Sequence, residues 1–155
     1  MRRRLIALAT VTAALAASAA VIAPPAQARG RVTITAAYYD PRLGPDPDTN
    51  AGRNAEYIVI RNSGARNIAL TGWVLHDVPR AATTNSFVFP RFTLRAGHTV
   101  RIHTGSGSNT GSDLYWGKSV YVWGDDSDTA TLLNGSGTVL GTCSWTTTDS
   151  SPKYC

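Results

Sequence analysis

The chain has 155 residues, with 15 Lys/Arg against 10 Asp/Glu and a formal charge of +5. Three of those basic residues, Arg2, Arg3 and Arg4, open the sequence, so the rest carries twelve against ten, a charge of +2 with acids interspersed. That balance excludes the run or stripe of positive charge that phosphate binding needs, and the length excludes two ordinary domains.

Residues 1–28, MRRRLIALATVTAALAASAAVIAPPAQA, read as a secretory signal peptide: a basic start, an apolar Ala/Leu/Val run and an A-x-A ending. The run from Leu5 to Ala23 nearly matches a bilayer span, but the small-residue ending favours cleavage after Ala28. The expected product is a secreted chain of residues 29–155 with no membrane span, and the Arg-rich start also suits a twin-arginine route. Cys143 and Cys155 would then meet an oxidising compartment, and a disulfide between them is expected to pin the Thr-rich tail.

Val32, Ile34 and Ala36 alternate with Thr33, Thr35 and Ala37, a half-buried strand leading to Tyr38 and Tyr39. Asp40 to Asn54, with three prolines and no hydrophobic period, is expected to be a long loop and one of two places for a site. Glu56 to Asp77, EYIVIRNSGARNIALTGWVLHD, reads as two strands joined by a polar turn: Ile58 and Ile60 face inward, Asn62-Ser63-Gly64 interrupts, and Trp73 and Leu75 resume the period of two. Phe87, Phe89, Phe92 and Leu94 flank Pro90, which implies an edge strand or bend. Val100 and Ile102 alternate with outward Arg101 and His103. Thr104 to Ser112, TGSGSNTGS, is the second long loop. Leu114 to Trp116 and then Val120 to Trp123 read as a run of β-propensity with aromatics on one parity, Thr129 to Leu133 as another strand, and Asn134-Gly135 as a hairpin turn before Thr138 to Leu140 leads into the tail.

No segment of 29–155 shows a period of 3.6. The expectation is an all-β domain of about eight short strands in an antiparallel sandwich or barrel, with Ile58, Ile60, Trp73, Leu75, Val100 and Ile102 in its core.

Asn54 to Gly64 (NAEYIVIRNSG), Leu70 to Asp77 (LTGWVLHD), the F-x-F-P and L-x-A-G pair (Phe87 to Pro90, Leu94 to Gly97) and Asp125 to Leu140 (DDSDTATLLNGSGTVL) together resemble the lamin tail domain. His103 to Gly117 is similar to the form this domain takes in exported bacterial proteins. The resemblance runs from about Val32 to Trp145. It implies an immunoglobulin-like β-sandwich and a non-catalytic interaction module, and it supplies no active site.

The candidate chemistry is sparse. His76 and Asp77 are neighbours but point to opposite faces of a strand, and no serine sits in a G-x-S-x-G elbow, so no catalytic residue is named. A small hydrolase using His76, His98 or His103 is the enzyme alternative. Asp46, Asp48, Asn50 and Glu56 have an imperfect calcium-loop spacing, interrupted by Pro45 and Pro47; calcium is the one cofactor the sequence suggests, against an ordinary turn. Asp125, Asp126 and Asp128 are explained by turn bonding. Arg61, Arg66, Arg80, Arg91, Arg95 and Arg101 are read as scattered and solvated, so nucleic acid is disfavoured. If the loop 104–112 binds anything, its amides and hydroxyls beside Tyr115, Trp116, Tyr121 and Trp123 suit a protein or a cell-surface polysaccharide, although aromatics at strand spacing are more often core.

Overall fold

The computed structural model describes residues 32–40, 49–77 and 85–155. The expected signal peptide (1–28), Asp46, Asp48 and Arg80 lie outside them. In chain order the elements are β1 (Val32–Tyr38), α1 (Asn50–Ala55), β2 (Tyr57–Asn62), β3 (Ile68–Ala69), β4 (Val74–Asp77), β5 (Ser86–Val88), β6 (Thr93–Leu94), β7 (Thr99–His103), β8 (Asp113–Tyr115), β9 (Asp128–Leu133), β10 (Val139–Trp145) and β11 (Lys153–Tyr154). A five-stranded sheet ordered β11-β1-β2-β7-β8 faces a four-stranded sheet ordered β10-β9-β4-β5, with β3 and β6 as a small ribbon. This is the expected all-β, immunoglobulin-like sandwich. The described residues hold eleven strands rather than about eight, because β3, β6 and β11 are two-residue pairs too short to show a period.

The period of two locates the buried face correctly. Ile58, Ile60, Leu75, Val100 and Ile102 are fully buried, and Trp73 packs on the core from its margin. Burying each aliphatic side chain of this kind contributes about 1.5–3 kcal/mol. A period does not name a partner, however. β2 pairs with β1 and β7, while β4 pairs with β9 and β5, so the two strands of the Glu56–Asp77 stretch belong to opposite sheets and meet only through their side chains. Asn62 organises the start of that crossing: its buried amide donates to the carbonyls of Arg66 and Leu94 and accepts from Gly64 N.

Four other expectations are corrected. The segment 40–54 is not wholly loop: Thr49 caps α1 by accepting from Gly52 N at 3.1 Å, the usual role of a Thr just before a helix. β7 and β8 run parallel, an exception to the antiparallel rule, with 104–112 returning the chain. Val120 to Trp123 is not a strand, because the Val122 and Trp123 amides donate to the Glu56 carboxyl instead of to a neighbouring strand. β10 continues past Leu140 to Trp145 and so takes Cys143 into the sheet.

The Cys143–Cys155 disulfide therefore joins the two sheets. Cys143 lies on β10, and Cys155 follows β11, which pairs with β1 through Ala36 and Ala37; the Cα atoms are 5.7 Å apart. Cys155 N donates to Thr35 O, and Ser151 Oγ accepts from the Tyr39 and Asp40 amides, so the tail covers the outer edge of β1.

Candidate functional site

Two rows of aromatic rings cross the sandwich. The inner one runs Phe87–Trp116–Trp123–Trp145–Tyr39, with ring centroids 4.6 to 5.9 Å apart, and belongs to the core. Trp116 and Trp123 are thus packing residues, not the sugar platform weighed from the sequence.

The outer row was not visible in the sequence. Tyr38 of β1, Tyr57 of β2, His103 of β7 and Tyr115 of β8 stand directly opposite one another in the strand register. Their successive ring centroids lie 4.2, 5.1 and 5.0 Å apart. Tyr154 of β11, 72% exposed, lies opposite Ala36 in the register, two residues along β1 from Tyr38 and on the same face. All five strands of the sheet contribute one ring to its outward face, where the other four are half-buried.

The far end of the row is held by polar contacts. His103 Nδ1 meets the Asn54 carbonyl oxygen at 2.7 Å and Nε2 meets Asp113 Oδ1 at 3.1 Å. Asp113 also pairs with Arg101 at 3.1 Å. Hydrogen bonding from Ser112, then from His103 and the Arg101 charge, holds its carboxyl below the usual range. The loop 104–112 folds over this end. Asn50 donates to and accepts from Ser106, and Asn54 donates to the Ser106 carbonyl. Gly107 lies so close to the Tyr115 ring that a Cβ there would sit 2.4 Å from it.

Glu56 ties this loop to the core. Its fully buried carboxyl accepts from Thr104 Oγ1 at 2.5 Å and Val122 N at 2.9 Å through Oε1, while Oε2 is buried with no partner. Burial pushes its pKa up to about 7, against the opposing pull of those hydrogen bonds. Of the four calcium candidates, Asn50 and Glu56 are engaged with protein groups, and Asp46 and Asp48 lie outside the described residues. Among the described residues no group of three His, Cys, Asp or Glu side chains is placed to hold a metal.

The histidines are dispersed: His76 on β4, His98 before β7 and His103 on β7. His76 Nδ1 meets Ser86 Oγ across β4 and β5 at 2.6 Å, a contact the sequence reading missed because the two residues are paired only by register. Asp77 does not complete a triad with them, since it turns to the buried side, as alternation requires. There its carboxyl accepts from Asn85 Nδ2 at 2.9 Å and lies near Asp128, whose pKa burial pushes up to about 6, with Asp77 raising it further. Asp128 also accepts from the Gly124 and Thr129 amides, the expected turn bonding.

No helix among the described residues is long and apolar enough to cross a membrane. A search of curated proteins gives no match. The family model described as Lamin Tail Domain matches residues 25–147, which takes in every element from β1 to β10 and leaves β11 and Cys155 beyond its end. With the sandwich and this match over most of its length, the chain belongs to the lamin tail domain family.

Proposed function

We propose that the chain is an exported, non-catalytic binding module whose ligand is an extended cell-surface polysaccharide lying across the outer face of the five-stranded sheet. The row Tyr154–Tyr38–Tyr57–His103–Tyr115 carries this reading. Tyrosines supply rigid, amphipathic contact area at low conformational cost, with hydroxyls to meet those of a sugar. A row crossing every strand suits a long chain better than a small molecule held in a pocket. Export is supported by the leader-like residues 1–28 and by a disulfide, which reducing compartments disfavour.

The test is retention of the secreted protein on insoluble cell-wall polysaccharide, with the product sequenced from its N-terminus. A chain beginning at Arg29 that is retained, and whose Tyr154→Ala variant is retained less, is the expected result. Equal elution of both from every polysaccharide would end this reading.

A further inference from the structure

We propose that the groove at the opposite end of β7 from the aromatic row is an anion-reading part of the same binding face, and that the polysaccharide is an acidic one bearing carboxylate, sulfate or phosphate groups. This rests on the polysaccharide reading above and narrows its chemistry.

The sequence scatters its arginines, but the fold gathers several of them. Arg91, Arg95 and His98, all exposed, line one open groove of about 690 Å³ together with Asn67, Thr110 and Ser112. Among the described residues neither Arg91 nor Arg95 forms an ion pair, in contrast to Arg101, which Asp113 neutralises. Two uncompensated guanidiniums beside a histidine make a donor set for anions: arginine meets carboxylate, sulfate or phosphate through two parallel N–H donors.

The groove adjoins the proposed face. Asn62 N donates to His98 O, and Arg101 N donates to Ser112 O, so both walls are bonded into the five-stranded sheet. From His103 in the row to Thr99 beside the groove is the length of β7, about 14 Å at strand rise. A chain of several sugars reaches both.

Nucleic acid is the competing polyanion, and one observation favours the glycan. The ring nearest the groove, Phe92, is packed against the core instead of lying open for base stacking.

The experiment measures binding of the secreted protein to polygalacturonate, dextran sulfate, unsubstituted dextran and duplex DNA, with Arg91→Ala/Arg95→Ala and Tyr154→Ala variants whose melting is checked against wild type. The expected result is preference for the acidic polymers over dextran, weakening with salt. The arginine variant should lose about tenfold of that binding and fall to the dextran level, while Tyr154→Ala weakens acidic and neutral polymers alike. The two acidic polymers separate carboxylate from sulfate as the group read. Unchanged acidic binding in the arginine variant overturns the inference and leaves the polysaccharide reading standing. Binding of duplex DNA as tight as that of the acidic glycans, lost with the same arginines, also overturns it. No binding of any glycan by wild type removes both.

Discussion

The carboxyl of Glu56 accepts a hydrogen bond from Thr104 Oγ1 at 2.5 Å with both side chains excluded from solvent. That contact, with the Val122 and Trp123 amides on the same oxygen, makes one buried acid the junction of α1, the loop 104–112 and the segment before β9. Its folded pKa of about 7 lies above the 4.5 of the unfolded chain. The folded state therefore holds the proton more tightly. Stability from this group is fully present below pH 4.5 and is lost as pH rises through about 7. The domain should melt several degrees higher at pH 5 than at pH 8. Glu56→Gln should flatten that slope, while Glu56→Ala, which leaves three donors unsatisfied, should cost about 2–4 kcal/mol at either pH. Calorimetry across pH 4 to 9 checks both.

Asp128 acts in the same direction, since its folded pKa of about 6 exceeds 3.8. Asp128 loses its proton as pH rises through that value, leaving like charge beside Asp77. Asp77→Asn replaces the repulsion with an amide donor, and the variant should be more stable than wild type at pH 8 and little changed at pH 5. Urea melts at the two pH values read this directly.

Opening the Cys143–Cys155 bridge removes the tie between the sheets. A closed loop of this size contributes on the order of 3 kcal/mol in the chain-entropy model. Cys143→Ser/Cys155→Ser should lower stability by about that amount. Hydrogen exchange should show faster loss at Ala37 and at the amide of position 155, with Ile58 and Ile102 still protected in the interior of the sheet. The native protein should titrate no free thiol.

Gly107→Ala should disturb the row without touching the core. The Tyr115 ring cannot yield freely, because it stacks on His103 with centroids 5.0 Å apart. The loop must lift instead, at a cost of about 1–3 kcal/mol. Protease should cut within 104–112 faster in this variant than in wild type.

The sequence carried the fold further than the site. Ile58, Ile60, Val100 and Ile102 announce themselves because one face of a strand is dry and the other wet. Strand pairing is not local in the same way, so β2 and β4 looked like partners although each belongs to a different sheet. Val120 to Trp123 had the composition of a strand, but its amides are satisfied by a carboxyl more than sixty residues earlier in the chain. The outer row was out of reach for the same reason: Tyr38, Tyr57, His103 and Tyr115 become neighbours only through register, and Arg91, Arg95 and His98 face a common groove only once the chain is folded.

The most direct test is to map where a bound polysaccharide touches the protein, by titrating labelled domain and following its resonances. The account predicts that Tyr38, Tyr57, His103, Tyr115 and Tyr154 shift together, with Val74, His76 and Val88 of the four-stranded sheet unmoved. Shifts confined to the four-stranded sheet, with the five rings silent, would contradict it.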